Sequence, residues 1–485
     1  MKADTDSITT PANRRPWLAY ALVAALFLLT VSNRLFSEGM FLDGLYYADV
    51  ALNLAEGNGT FWAPQFTDIV PFYGHPPLAM GLESLGYRLF GDDIAVEKGY
   101  SLLVILLSAW LTVLLWRRCG GTRTLGWLPL LLLTLVPLTS TCAVDNMLEN
   151  TMMVFTLLSA LCVLQARQRR FPAIVLAGFA LCGAFLTKGF TGLYPLAFPL
   201  ALWLALRQER LPRALLDTLL MLLSFLLMLA AIFIIWPEAR TFFSKYLDIQ
   251  VAAGIHSPVV SSRITIVVKL FERSLIVLLL TAAVLLIGWR QSRHAGLPLV
   301  EPPAARMALA LTLLVLCGTL PIMISLKQRA FYLLTVFPFL CVALGLLMQP
   351  TLLRWASQLG TRWRRLMAAL LAALIIANIA VATHRLQAGP PRFYNPVLLS
   401  DMKQVIQTLP PHTTLSIEAS MLEEYSLPAY YYRHGHLNMD TQLHPYALLK
   451  EELLPAWREA HPDATLQRMA LPTTTYHLYQ VIATQ

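Results

Sequence analysis

Residues 214–235, ALLDTLLMLLSFLLMLAAIFII, carry a single ionisable side chain, and stretches like this one recur up to about residue 383. A helix needs roughly 17–25 apolar residues to cross the hydrocarbon core of a bilayer. Inside that core each backbone N–H and C=O must find its partner within the protein, so runs of this kind become helices. Reading for them predicts eleven spans, near 17–36, 99–116, 125–142, 146–165, 172–187, 190–206, 214–235, 274–289, 307–325, 331–349 and 366–383. The fifth and sixth are short and joined only by TKG. With 57% hydrophobic and 13% charged residues and a mean hydropathy of +0.59, the 485-residue chain falls outside soluble usage.

Lysine and arginine set the expected orientation. With the N-terminus (1–16) cytoplasmic, six short inner segments hold 19 of the 37 cations, from Lys2, Arg14 and Arg15 to Arg362, Arg364 and Arg365. The longer outer loops hold 11 and the tail 7, as the positive-inside rule requires. The net charge of +9 is then a topology signal and gives no ground for a nucleic-acid partner. No small-residue cleavage site follows the first run, so it is expected to stay as an uncleaved span. The six cysteines fall in spans or an inner loop with no Cys-x-x-Cys, which argues against disulfides and thiolate metal sites.

The polar material is outside. Loops 37–98 and 236–273 are large, and residues 384–485 change character to a polar, tyrosine-rich tail. In that tail NPVLLSDMKQVIQTL and PYALLKEELLPAWREA read as helices, TTLSIEAS and TTTYHLYQVIAT as strands, which predicts a small α/β domain. No internal repeat is visible, and the spans (within 17–383) carry almost no charge. Ion-coupled transporters usually carry ionisable residues at mid-membrane and often inverted repeats, so with neither evident any chemistry belongs at the outer surface.

Four outer elements stand out. In FLDGLYYADVALNLAEGNG, the residues Leu45, Ala48, Leu52 and Ala55 recur at helical spacing with Asp49, Asn53 and Glu56 opposite. That predicts an amphipathic helix in the interface plane, with Asp43 at its start as either a functional acid or an N-cap. In FYGHPPLAMGLESLGYRLF, Pro76 and Pro77 fix His75 before another interfacial helix. In CAVDNMLENTMMVF, Asp145 stands at the outer end of a span, as a site residue or a helix cap. Glu149 is one turn further on the same helical face, and an inward-facing solvating role, not catalysis, is expected for it. Finally Lys188, Lys327 and Arg329 are cations on the outer side, in LTKGF and SLKQRAFYLLTVFPF. They suit either lipid headgroups or the phosphate of a lipid substrate.

Together these motifs resemble the GT-C-type polyprenyl-phosphate-sugar glycosyltransferases, in the bacterial branch related to protein O-mannosyltransferases and the aminoarabinose–lipid A transferase. The resemblance covers roughly residues 17–350. It implies Asp43 as catalytic acid and Asp145 as the second acid of the site. It also implies His75, Lys188, Lys327, Arg329 and Tyr332 as substrate-binding residues. In the aminoarabinose branch the proline loop reads Glu-Lys-Pro-Pro-Leu; here Gly74 and His75 replace the acid and the lysine. That weakens a metal site of that branch's kind and offers His75 as a partly charged substitute for the lysine. A divalent metal ion on Asp43, Asp145 and His75 is the candidate cofactor.

The resemblance implies inverting transfer of one sugar from a polyprenyl-phosphate donor to a glycan, lipid or protein acceptor. The enzyme would be embedded among the lipids of a bacterial inner membrane, with its site and C-terminal domain extracytoplasmic (periplasmic). The rival readings are a transporter or flippase of lipid-linked sugars, an oligosaccharide transferase with a pyrophosphate-linked donor, and a non-catalytic relative.

Overall fold

The computed structural model describes residues 16–166, 168–252, 259–295, 298–358, 360–388 and 395–483. Lys2, Arg14, Arg15 and Arg167 of the charge reading lie outside them, as does part of loop 236–273. The chain is predominantly helical. Helix α1 (Trp17–Leu35) is followed by two helices beyond its end, α2 (Leu42–Glu56) and α3 (Leu78–Phe90), separated by a two-residue hairpin, β1 (Gly59–Thr60) with β2 (Ala63–Pro64). The bundle continues with α4 (Ile94–Arg118), α5 (Leu128–Leu135), α6 (Pro137–Cys142), α7 (Leu148–Gln165), α8 (Arg170–Lys188), α9 (Phe198–Leu206) and α10 (Leu211–Ile235). After α11 (Pro237–Tyr246) come α12 (Thr265–Ala295), α13 (Pro302–Thr319), α14 (Phe337–Gln358) and α15 (Thr361–Ala388).

Nine stretches among the described residues are long and apolar enough to cross a membrane. All eleven predicted segments are helical, but two depart from the simple count. Segment 125–142 is split into α5 and α6, of 8 and 6 residues. Pro137 forces Val136 into an extended conformation (ψ 110°), which interrupts the helix. Arg170–Leu206 is one continuous apolar stretch, yet its chain turns at Gly189, whose φ of +70° suits glycine, and residues 189–197 pack back along α8.

The tail folds as α16 (Pro396–Ile406), β3 (Thr414–Ser416), α17 (Ser426–Gly435), β4 (Asn438–Asp440), β5 (Tyr446–Leu449), α18 (Leu454–Ala460), β6 (Ala464–Arg468) and β7 (His477–Ala483). The sheet order is β4-β3-β5-β7-β6, with β4 and β5 parallel to β3 and the rest antiparallel. The segment PYALLKEELLPAWREA, expected as one helix, is strand β5 followed by a short helical turn and α18. The run Ala447–Leu449 is buried in the sheet core, and Pro455 starts the helix only afterwards.

This domain shares a hydrophobic cluster with α2 and α3. Leu399, Met402, Tyr430 and Tyr431 lie in one core with Met40, Leu45, Val50 and Met80. Polar contacts follow the same seam: Tyr430 Oη donates to the Met40 carbonyl (2.9 Å) and Tyr432 Oη to Asn53 Oδ1 (2.6 Å). The domain therefore caps the end of the bundle that carries α2 and α3. At the other end stand Arg117, Arg118 and the Arg170–Asp217 pair (2.8 Å).

Candidate active site

The segment after α1 enters α2 through Phe41, which holds the extended N-cap conformation without a side-chain cap. The helix begins at Leu42, earlier than the spacing from Leu45 suggests. Asp43 thus lies inside the first turn and is not the N-cap residue; it is partly buried, where the helix dipole favours a carboxylate. Gly44 has a packing reason. A Cβ there would stand 1.9 Å from the carbonyl oxygen of Asp145, so only glycine lets α2 rest on the turn before α7. That turn is pinned from several sides. Asn146, at φ +50°, donates to the Gly44 carbonyl (3.2 Å) and to Glu83 (2.8 Å), and Asn150 donates to the Cys142 carbonyl (2.8 Å).

Asp145 does not cap α7, whose N-cap is Met147. Its carboxylate is ion-paired with Arg34 from the last turn of α1 (2.8 Å). The acid thereby ties the end of α1 to the turn on which Asp43–Gly44 rests.

Lys188 is the last residue of α8 and is buried. Its ammonium lies 2.5 Å from Glu149 Oε1 and 5.2 and 5.3 Å from the ring centroids of Phe331 and Tyr332. Glu149, read from the sequence as a solvating group, is fully buried, and its second oxygen has no hydrogen-bond partner. The pair joins residues 39 apart in sequence, on α7 and α8.

His75 is partly buried, edge-on to Tyr47 (5.9 Å between centroids), with its Nδ1 sealed and unpartnered. Burial, with the charges of Lys188 and Lys327, holds the imidazole well below its ordinary pKa. His75 is therefore neutral at pH 7, and the expected partly charged substitute for a lysine is corrected on that ground.

Lys327 and Arg329 flank Gln328, a residue to which the sequence assigned nothing. Gln328 is wholly buried: its Nε2 donates to the carbonyls of Arg263 (2.9 Å) and Ser325 (2.8 Å), and its Oε1 accepts from the Ile266 amide (2.7 Å). It pins the connector bearing both cations to the start of α12. A glutamine between two cations was the available signal.

These elements converge. The hydroxyl of Tyr47, pushed up by burial, feels the negative charges of Asp43 and Glu149, and His75 feels Lys188 and Lys327. Asp43, Glu149 and Arg329 all lie within electrostatic reach of Tyr332. Two carboxylates and three cations from four parts of the chain thus act on this group of side chains. No group of three or more His, Cys, Asp or Glu among the described residues is arranged to hold a metal ion, and Asp145 is engaged with Arg34. The trio Asp43, Asp145 and His75 does not fit as a metal centre.

The opposite face of α2 is also buried, contrary to the interface-plane reading. Asp49 and Asn53 are inaccessible because the C-terminal domain covers them. Arg433, 2% exposed, reaches in from α17 to Glu97 (2.8 Å) and Asp92 (2.5 Å). Burial first, and then neighbouring Glu97, Asp92 and Glu83, hold the Asp49 carboxyl well above the carboxylate range against the opposing charge of Arg433. Burial pushes Glu83 up to about 8.

Residues 74–236 match the sequence model of the dolichyl-phosphate-mannose-protein mannosyltransferase family. Among curated proteins, none matches the chain. The crystal structure of ArnT from Cupriavidus metallidurans bound to undecaprenyl phosphate superposes with a TM-score of 0.62 at 17% identity, over 96% of this chain and 98% of that one. Its apo form gives 0.58 at 16% identity, over 96% and 97%. The archaeal oligosaccharyltransferase AglB from Archaeoglobus fulgidus, in complex with an inhibitory peptide and a dolichol-phosphate, gives 0.52 at 12% identity, over 97% of this chain and 74% of that one. The resemblance read from the sequence holds at the level of fold: the chain has the GT-C architecture.

Proposed function

We propose that this integral membrane protein is an inverting glycosyltransferase that moves one sugar from a polyprenyl-phosphate donor to an acceptor at the end of the bundle capped by the C-terminal domain. The observation that carries the reading is that Lys188 stands 5.3 Å from the Tyr332 ring, in the segment following Lys327 and Arg329, while the Asp43 charge acts on both Tyr47 and Tyr332. In this reading that end is extracytoplasmic and the membrane is the inner membrane of a bacterium.

The chemistry follows from the charges. As the bond between the anomeric carbon and the phosphate oxygen breaks, its electron pair passes to the phosphate. The cations stabilise that growing charge. An acceptor hydroxyl forms the new bond from the opposite face, which inverts the anomeric centre. Its proton goes to the Asp43 carboxylate, for which hydrogen-bond reach suffices. Asp145 acts through structure, because its pair with Arg34 supports the turn under Gly44. Neutral His75 offers a hydrogen bond to a polar substrate group without adding charge.

The test is transfer from a radiolabelled polyprenyl-phosphate sugar by the purified protein in nanodiscs, compared with Asp43→Asn. Loss of product in the variant, with undecaprenyl phosphate still bound, supports the assignment. Equal product from both removes Asp43 from catalysis, and transbilayer movement of the lipid without product favours a flippase.

A further inference from the structure

Glu149 has no task in the chemistry above, yet it is the most thoroughly buried acid beside it. Glu149 is sealed, with a side chain 0% exposed, and Lys188 keeps only 4% of its side chain exposed. A buried ion pair is a weak source of stability, since well-packed apolar residues often replace one without loss. This pair therefore invites a reason other than stability. Lysine carries its charge on a flexible four-carbon stem, and an ammonium left without a counter-charge in such a setting pays a heavy desolvation cost.

Here the ammonium is fixed from two sides. Glu149 Oε1 is its hydrogen-bond partner, and the rings of Phe331 and Tyr332 lie within cation–π range. Of the three N–H donors of a lysine, one goes to Glu149, which leaves two for another anion. Tyr332 belongs to the segment 330–336 that directly follows Lys327 and Arg329. The aromatic contacts thus set the position of Lys188 relative to the other two cations. Gly189 adds a limit at the backbone, since a Cβ there would strike Tyr246 Oη at 2.0 Å.

We infer that Glu149 is a positioning residue: it holds the Lys188 ammonium in register with Lys327 and Arg329, so that its remaining N–H groups meet the donor phosphate. The inference rests on the donor reading proposed above. Glu149 neither gains nor loses a proton during transfer; it acts through Lys188.

The experiment measures equilibrium binding of tritiated undecaprenyl phosphate, and of undecaprenol as the phosphate-free probe, to the full-length protein in nanodiscs. The variants are Lys188→Met, Glu149→Gln, Glu149→Asp and the double Glu149→Gln/Lys188→Met. Glu149→Gln is expected to raise the Kd for undecaprenyl phosphate about tenfold, the worth of one charge-assisted hydrogen bond, and to leave undecaprenol unchanged. The double variant should bind no worse than Lys188→Met, and Glu149→Asp, which keeps the charge, should fall between Glu149→Gln and the unaltered protein. Where Glu149→Gln does not fold, Glu149→Asp decides by the same selective loss.

Equal loss for both lipids, or additive losses in the double variant, would overturn the inference in favour of a merely structural pair. An unaltered protein that does not prefer the phosphate lipid overturns the donor reading and this inference with it. A protein that does prefer it, while the Glu149 variants keep its Kd, overturns this inference alone.

Discussion

Helix α2 carries two aspartates with opposite fates. Asp43 stands in its first turn, partly open, on the side that Tyr332 shares with Arg329. Asp49 follows about 9 Å along the axis on another face, fully sealed, with both oxygens unpartnered and three acids around it. Arg433 approaches that acid cluster but spends its hydrogen bonds on Glu97 and Asp92. The same side chain on the same helix is thus a potential proton acceptor at one end and a proton holder at the other. Environment, and not residue type, sets the contrast: burial favours the neutral form of the Asp49 carboxyl.

The sharpest way to break this contrast is to amidate each acid in turn. Asp43→Asn is expected to lower the initial rate of sugar transfer by about 10²–10⁴-fold. Asp49→Asn, which replaces a protonated acid by a near-isostere, should leave the rate within about twofold. Equal losses would show that the two faces are one functional unit.

Next in size is the seal over Asp49. Arg433→Ala leaves Glu97 with its buried ion pair broken and should cost about 3–5 kcal/mol, seen as a lower Tm of the full-length protein in detergent. An unchanged Tm would mean that the C-terminal domain holds on without its arginine.

On the Asp43 side, Lys327→Ala with Arg329→Ala should weaken undecaprenyl phosphate binding by about 10–100-fold, with undecaprenol as control. The same loss for both lipids would remove the phosphate from that connector.

The smallest effect concerns pH. Glu83 has a folded value of about 8 against 4.5 for the free side chain. Its raised value means that the native state binds the extra proton. The stabilisation is complete below pH 4.5 and is lost as the pH rises through about 8. Glu83→Gln should flatten that fall in Tm, and a variant with the same slope as the unaltered protein would show that Glu83 does not carry it.

Much of this architecture could be read from local pattern. Long apolar runs became helices because the bilayer allows them little else, and α16, β3 and β7 followed from periodicity in the tail. That Asp43, Lys188 and Lys327 share one end of the bundle was legible for the same reason, since span order fixes which loops share a side. What failed was the reading of surfaces. The polar face of α2 looked solvated, but its cover comes from Tyr432 and Arg433, more than 330 residues later, and no local spacing reports that. Glu149 looked incidental because its partner lies 39 residues away on another helix. The break at Pro137 was in plain view in the sequence, yet the hydropathy of the run hid it.

The shared core of α2, α3 and the C-terminal domain also sets an order of events on the ribosome. Residues 41–90 leave the exit tunnel before the C-terminal domain, with Asp49 and Asn53 bare of the cover that residues 396–483 will supply. At about 5–20 residues per second, the intervening roughly 300 residues take some tens of seconds to synthesise. Throughout that interval the nascent polypeptide carries an unfinished seam, which closes only once residues 396–483 have emerged.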